Sequence, residues 1–572
     1  MTHVRLDPPP AELARALAAF GHARFQPHQE EAVRAVLAGR DVLATMPTGA
    51  GKSLLYQLPA TMLEGLTLVV SPLIALMKDQ VDGLRARGLR ASFVNSSLDA
   101  AERGRRLEQA VRGELDLLFV TPERFRSPAF LERLDALRVS RLAIDEAHCI
   151  SEWGHDFRPD YWKLGEYRSL LRDPPTIALT ATATPRVARD IVTALRLREP
   201  LIVRTGIERP NLFLGCRRVD RAEEKLPHLL ERIRVIDGPG IVYSTLIRDL
   251  EALHDELRRH GIRSLVYHGK LSPEERRRMQ DRFMASEREV VLATNAFGMG
   301  VDKADIRFVL HAQVPRTLEA WTQEVGRAGR DGKSSFCELI YFEEDLAVQQ
   351  NFIAWANPSR EYLLGVYETL RGWGERIQVK DLDDLRDELL VKQRGDNRVS
   401  ICLKWLEVLG VTAGSFETHD FALLRDFDPG ELPDFVGTED KHRADLEALL
   451  SMMTFAKEGV LCRRVQLERH FGLEESGGGC SACDVCASGD DWLARNASPR
   501  RTGAPGAEAT GHVTDAEFRR GDWVRVDGRH LGHVVRVDGR GARVRLVVES
   551  AGDFRKRTVD PRKQRVERIE DP

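Results

Sequence analysis

Short apolar runs that each end in small polar or acidic residues constrain this chain more than any other feature. Residues 41–45 run into the loop 46–53, MetProThrGlyAlaGlyLysSer. Leu66–Val70 ends in Ser71-Pro72-Leu73, and Leu117–Val120 in Thr121-Pro122-Glu123. Residues 142–144 stop at Asp145-Glu146, and 177–179 at Thr180-Ala181-Thr182-Ala183-Thr184. Strand-length runs with no polar alternation are buried on both faces, as the strands of a parallel sheet are. Helical segments alternate with them, which predicts an α/β fold with its functional groups gathered at one strand edge.

The loop 46–53 reads as a phosphate-binding loop. Gly49 and Gly51 let backbone N–H groups turn toward phosphates, Lys52 brings a cation, and Ser53 offers a hydroxyl to Mg²⁺. Met46 replaces the first Gly of the general pattern, and Thr48-Gly49-x-Gly51-Lys52-Ser53 is a tighter form of it. At the next acidic stop, Asp145 is placed to hold Mg²⁺ and Glu146 to orient water. Taken alone, that pair reads equally well as an acidic turn before an ordinary surface loop. The loop that follows carries Trp153, His155, Phe157 and Arg158, a set suited to stacking on unpaired bases.

A second α/β series begins near residue 211. Strands are expected at 240–244, 264–267 and 290–293, with helices at 248–260 and 272–284. No second phosphate loop occurs, so this half is expected to close over a nucleotide held by the first. Arg327 and Arg330 are one helical turn apart, which predicts one helical face presenting both guanidiniums. An Arg supplied across a cleft neutralises charge in phosphoryl transfer.

A phosphate loop, Asp145-Glu146-Ala147-His148, Thr180-Ala181-Thr182, the loop 151–159 and the Gly-Arg-Ala-Gly-Arg-Asp-Gly of 326–332 follow in order. This series resembles the RecQ family of superfamily 2 helicases, over residues 13–345 and again near 460–486. The resemblance implies two tandem RecA-like P-loop domains, at 1–210 and 211–345. It implies a 3′-to-5′ DNA helicase of repair and recombination that couples ATP hydrolysis to movement on single-stranded DNA and opens forked DNA. Lys52, Asp145, Glu146, His148, Arg327 and Arg330 are then the catalytic set. Gln29, Thr48, Gly49, Gly51, Lys52, Ser53 and Asp302 hold ATP, with Mg²⁺ on Ser53 and Asp145. Trp153, His155, Phe157 and Arg158 meet DNA. Two departures stand out. His22 and Gln26 replace the family's Tyr and Arg beside Gln29, and Glu152 replaces a Gln.

Beyond the motor, residues 346–435 offer three amphipathic segments and a Gly410–Gly414 turn into short strands, a winged-helix-like pattern. The same pattern fits a helical brace for the motor. Residues 436–490 carry Cys462 and Cys480-x-x-Cys483-x-x-Cys486, spacings that fit a closed tetrahedral Zn²⁺ site. In typical RecQ proteins the zinc module precedes the winged helix, and here the order is reversed. Cys149, Cys216, Cys337 and Cys402 lie in apolar surroundings and read as core thiols. Residues 491–515 read as a linker. Residues 516–572 alternate apolar and basic positions, which predicts a small SH3- or Tudor-like β-barrel that contacts phosphate backbone or a protein partner.

At 572 residues the chain exceeds one core, since a domain takes about 150. The first residues lack an apolar signal-peptide core, and no run is long enough to span a bilayer, so a cytoplasmic, nucleoid-associated protein with no membrane partner is expected. A net charge of −3 is silent about nucleic acid, which reads local patches. Two other readings share the motifs: a DNA or RNA translocase that does not separate strands, and a DNA-binding scaffold with a silent ATPase site.

Overall fold

The computed structural model describes residues 7–154, 156–207, 209–298, 301–391 and 395–496, and the strand segments 523–526, 530–538, 545–550, 556–559 and 566–569. The chain divides into two compact units, Met1–Arg500 and Arg501–Pro572.

The first lobe is built on strands β1 (Val42–Thr45), β2 (Leu66–Val70), β3 (Ala91–Val94), β4 (Leu117–Val120), β5 (Val139–Ile144), β6 (Thr176–Thr180) and β7 (Leu201–Arg204). Their order is β3-β4-β2-β5-β6-β1-β7, and every pairing is parallel. β2, β4 and β6 are buried along their whole length, as their unbroken apolar runs require. Helices cover both faces and form two apolar cores. β3 and β7 were not expected from the sequence. Both are edge strands; β7 leaves Ile202 exposed, so its pattern is diluted.

The second lobe contains β8 (Leu212–Arg218), β9 (Gly240–Tyr243), β10 (Ser264–Tyr267), β11 (Val290–Ala293), β12 (Phe308–His311) and β13 (Ser335–Tyr341). The order is β10-β11-β9-β12-β13-β8, again all parallel. The helix Pro273–Ala285 begins at a capping box, Ser272 accepting from Glu275 N–H while the Glu275 side chain returns to the Ser272 N–H.

The helix Asp345–Ala356 packs on this second lobe through Lys225 to Asp345 at 2.7 Å and Gln349 Nε2 to Val314 O at 2.7 Å. The helix Glu439–Lys457 packs beside it and inserts Phe455 against Trp321, ring centroids 4.9 Å apart. Between these two partners the chain makes an excursion with its own core, from Leu363 to Val436. The excursion holds the helices Arg360–Trp373, Leu382–Glu388 and Arg398–Val408, and a hairpin of β14 (Thr412–Ala413) and β15 (Ala422–Leu423). It leaves and returns at one point. Arg360 donates to the carbonyls of Val436 and Pro433, both at 2.9 Å, and a Cβ on Gly437 would stand 2.6 Å from the Arg360 nitrogen. Adjacent ends are what let one compact unit be set inside another. The core of this excursion begins only after the helix Asp345–Ala356, later than the boundary at 346 expected from the sequence.

The cysteine-bearing segment is bolted to β8, an edge of the second sheet. Leu214 N–H donates to Ala482 O at 3.0 Å and Asp484 N–H to Leu214 O at 3.1 Å. This occupies an edge that would otherwise present unpaired backbone groups.

The C-terminal unit is a five-stranded antiparallel sheet of β16 (Trp523–Val526), β17 (His530–Asp538), β18 (Arg545–Ser550), β19 (Lys556–Val559) and β20 (Val566–Ile569). The order is β19-β18-β17-β16-β20, over a small core of Val524, Val534, Leu546, Val548 and Val559. Most of the segment read as a linker, 497–515, lies outside the described residues. Among the described residues no helix is long and apolar enough to cross a membrane.

Candidate functional site

The phosphate loop leaves β1 and enters the helix Leu54–Ala60. Gly49 and Gly51 sit at φ 86° and 70°, a left-handed backbone that side chains disfavour. Gly51 is also confined from outside, because a Cβ there would meet Gln29 Nε2 at 2.7 Å. Gln29 is buried and spends its amide on this region. It accepts from Gln26 N–H and donates to Ala50 O, both at 2.9 Å. The residue expected to read the adenine edge thus also ties the loop in place. Lys52 turns its ammonium onto the carbonyls of Met46 (3.0 Å) and Pro47 (3.3 Å).

Asp145 and Glu146 stand at the end of β5, beside β2 and β6. Asp145 accepts from Ser71 Oγ at 3.3 Å and from Glu146 N–H at 3.0 Å, and Tyr161 OH donates to its backbone carbonyl at 3.0 Å. Glu146 adopts φ 47°, ψ 47°, a costly conformation away from glycine. Glu146 Oε2 lies 3.4 Å from His148 Nδ1, and His148 Nδ1 is 3.0 Å from Thr180 Oγ1. One buried imidazole thus lies between the Asp145–Glu146 pair and the Thr180-Ala181-Thr182 turn, hydrogen-bonded to Thr180. Burial raises the affinity of Glu146 for its proton, and neighbouring Asp145 adds to this, pushing it up to about 7. Lys52 is shifted the other way by burial, against the pull of Glu146 and Asp145.

Arg327 and Arg330 reach this centre from the second lobe, though not from a helical face. The helix Leu318–Val325 ends before them, and both lie in the turns that follow. Gly326 allows the break, its neighbourhood filled by Thr322 O and by Thr48 of the phosphate loop. Arg327 is buried and donates to Gly298 O, while Arg330 pairs with Asp302 at 2.5 Å. Arg330 lies across the phosphate loop, its Cγ 3.7 Å from where a Cβ on Gly49 would be. Thr48, Gly49, Lys52, Asp145, Glu146, His148, Arg327 and Arg330 are therefore brought to one cleft. Ser53 continues the loop into the helix. Asp302 reaches the cleft through its pair with Arg330, while its own side chain stays largely exposed.

The aromatic loop is split between two environments. Trp153 carries Arg186 over its ring at 3.4 Å, and Ser151 Oγ is anchored to Asp190 at 2.6 Å. Phe157 instead turns into the inserted module, stacked on Trp405 with centroids 6.0 Å apart and edge-on to Phe435 at 5.6 Å. Arg158 pairs with Asp156 at 3.0 Å. His155 lies outside the described residues. Glu152 is half-buried, with one oxygen lacking a hydrogen bond among the described residues; burial, then Asp190, raises its carboxyl to about 7 against Lys441 and Arg186.

Cys462, Cys480, Cys483 and Cys486 place their sulfurs within 4.8 Å of one another, and Cys462 and Cys483 are 3.9 Å apart. A tetrahedral Zn²⁺ with bonds of about 2.3 Å sets sulfurs about 3.8 Å apart, so the donor set fits that ion. Cys483 is shifted toward thiolate, first by a hydrogen bond from Cys480. Around the cluster, Arg463 makes a two-pronged pair with Asp484 at 2.8 Å, and Asp484 accepts from Cys216 N–H at 3.1 Å. Cys149, Cys337 and Cys402 are buried.

Sequence reasoning overlooked Gln29 as a support of the loop and Trp405 as the partner of Phe157. Both contacts are made by tertiary packing between segments distant in the chain.

Comparisons with known proteins agree with this geometry. Residues 26–191 match the DEAD/DEAH box helicase family, 222–332 the helicase conserved C-terminal domain, and 418–487 the RecQ zinc-binding family. "Probable ATP-dependent DNA helicase RecS" of Bacillus subtilis (strain 168) is 41% identical over 386 residues, 67% of this chain and 77% of that protein. "ATP-dependent DNA helicase RecQ" of the same organism is 44% identical over 336 residues, 58% of this chain and 56% of that protein. "ATP-dependent DNA helicase Q5" of Rattus norvegicus is 43% identical over 349 residues, 57% of this chain and 36% of that protein. The chain thus spans about three quarters of the first and little more than half or less of the others. With both lobes, their ordered motifs and the four-cysteine cluster in place, the chain belongs to the RecQ family of superfamily 2 helicases.

Proposed function

We propose that this protein is an ATP-dependent DNA helicase that moves 3′ to 5′ on single-stranded DNA and separates forked duplexes in repair and recombination. The reading is carried by one observation: Lys52 and the Asp145–Glu146 pair of one lobe and Arg330 of the other meet over Gly49. Relatives named as ATP-dependent DNA helicases support it.

In this mechanism Lys52 and the loop N–H groups bind the phosphates of ATP, and Gln29 fixes the loop while facing the base. Ser53 and Asp145 would hold Mg²⁺, which supplies charge neutralisation on the phosphates. Glu146, with its raised proton affinity, orients the attacking water and accepts its proton. Arg327 and Arg330 stabilise the charge on the transferring phosphoryl group. His148 links Glu146 to Thr180, so the state of the cleft reaches the 180–184 turn and, through Arg186, Trp153. Cleft closure and opening then step the lobes along the strand. Trp153, His155, Phe157 and Arg158 form the DNA-side loop, with Phe157 acting from within its packing.

Cys462, Cys480, Cys483 and Cys486 would hold Zn²⁺ and stiffen the edge of the second lobe. The inserted segment, three helices and a hairpin, is read as a winged-helix-like module. The C-terminal sheet is read as an SH3- or Tudor-like barrel with basic strands suited to phosphate backbone or a protein partner. The test is ATP turnover measured with single-stranded DNA, with RNA and with no polymer. Strong stimulation by DNA supports the helicase. Equal stimulation by RNA moves the reading to an RNA helicase, and none moves it to a scaffold.

A further inference from the structure

The inserted module covers the foot of the loop that the helicase reading makes responsible for coupling. Its aromatic residues Trp405 and Phe435 enclose Phe157 and Trp162, with Trp162 edge-on to Trp405 at 6.2 Å and to Phe435 at 6.5 Å. An ionic network centred on buried Asp160 runs along the same seam. Asp160, 5% exposed, pairs with Arg126 at 2.8 Å and with Lys404 at 3.0 Å. Arg126 also reaches Glu407 at 2.6 Å, and Lys163 donates to the Val408 carbonyl at 3.1 Å. Apart from the Asp160–Arg126 pair, which lies within the first lobe, each of these contacts joins that lobe to the helix Arg398–Val408 or to Phe435.

Two readings of such a module compete: a duplex reader, or a support for the motor. Its charge separates them. Residues 359–437 hold ten Lys and Arg against sixteen Asp and Glu. Binding duplex DNA rests on cations replacing the counterions of phosphate, and a surface with an excess of carboxylates opposes that. The module's helix Arg398–Val408 turns Lys404, Trp405, Glu407 and the Val408 carbonyl onto the first lobe. Separating the seam would take Lys404 from Asp160 and Glu407 from Arg126, and would also bare the apolar faces of Trp405 and Phe435, which opposes a displaceable brake.

We infer that residues 359–437 are a coupling brace in which Trp405 and Lys404 are positioning residues. They hold Phe157 and Asp160, and so the 151–159 loop, in the geometry that transmits DNA binding to ATP hydrolysis. The inference rests on the proposed helicase activity. It makes Trp153, beside Arg186, the aromatic residue of the loop presented to a base, with Phe157 its fixed root. The module acts across the seam and does not itself touch DNA.

The test uses full-length protein and three variants: Trp405→Ala, Trp405→Phe and Lys404→Ala. ATP turnover is measured without DNA and across a titration of single-stranded oligonucleotide, and binding of blunt duplex is measured by anisotropy. The brace predicts that W405A keeps DNA-free turnover within twofold of the parent. It predicts a fall in DNA-stimulated turnover of tenfold or more, recovery of most of it in W405F, and an intermediate loss in K404A. Duplex affinity stays unchanged throughout. The inference is overturned if W405A and K404A stimulate like the parent, or if DNA-free and DNA-stimulated turnover fall together. It is overturned equally if duplex affinity drops tenfold, which would make the module a DNA reader. Should W405A fail to fold, K404A and W405F carry the test alone. A parent protein that DNA does not stimulate at all refutes the helicase reading itself, which keeps the two failures apart.

Discussion

Arg330 of the second lobe lies across Gly49 of the first, its Cγ 3.7 Å from the place a Cβ on Gly49 would take. That contact sets a cation of one lobe over the phosphate-binding backbone of the other. Asp302 holds the guanidinium from behind at 2.5 Å. Charge stabilisation by an Arg supplied across a cleft is worth about 10³-fold or more in phosphoryl transfer. Arg330→Ala is therefore expected to lower DNA-stimulated ATP turnover by about 10³-fold while leaving oligonucleotide affinity within a few-fold. Phosphate release and anisotropy on the same preparation check both halves. Asp302→Asn, which loosens the guanidinium without removing it, is expected to fall between the parent and R330A.

The four cysteine sulfurs lie within 4.8 Å of one another on a segment hydrogen-bonded to β8. Removing one donor from a structural zinc site forfeits both the ion and the fold it stabilises. Cys483→Ser is expected to lose bound zinc, measured by a colorimetric chelator after denaturation. It should also expose the 460–490 segment to limited proteolysis at sites the parent protects. ATP turnover without DNA is expected to change far less than resistance to protease.

Much of this architecture was legible in advance, for a local reason. β2, β4 and β6 are buried end to end, so their apolar runs stand out, and the residues that follow them carry the chemistry. Edge strands such as β3 and β7 escaped because one side meets solvent or small residues and the run is short. The pair Arg327 and Arg330 was found by motif, but their spacing suggested a helix that in fact stops at Val325, one residue before Gly326. The insertion was illegible on physical grounds. Nothing near Arg360 announces that the chain returns to it at Val436, and nothing near Phe157 announces Trp405. Such contacts are made by tertiary packing and leave no periodicity.

A buried ion pair supports the back of the first sheet. Asp41 receives Arg168 Nη2 at 3.0 and 2.8 Å, Thr176 N–H at 2.7 Å and Arg198 N–H at 2.7 Å. Removing the carboxylate strands a buried guanidinium and two amides, a loss of about 3–5 kcal/mol. Asp41→Ala is expected to lower the first thermal transition by several degrees, read by circular dichroism. The doubly substituted D41A/R168M protein should recover part of it.

Glu152 gives the fold a pH dependence of known sign. Burial, with Asp190, raises its carboxyl to about 7, above its ordinary value near 4.5. A carboxyl whose folded proton affinity is raised favours the fold while protonated, and that contribution is lost as pH rises from about 4.5 through about 7. Glu152→Gln, neutral at every pH, is expected to be more thermostable than the parent at pH 8 and equal to it at pH 5. Because the group is half-buried, solvent screening limits the gain to about 1–3 °C. Differential scanning fluorimetry at the two pH values checks the sign.

The central claim is that ATP cleaved between the lobes drives strand separation. A 3′-tailed forked duplex carrying a fluorophore and quencher, incubated with ATP, reports it directly. The account predicts that the parent protein separates the strands, and that Lys52→Ala abolishes both separation and DNA-stimulated ATP turnover. Unwinding that persists in K52A, or ATP turnover in the parent that is the same with and without single-stranded DNA, would contradict it.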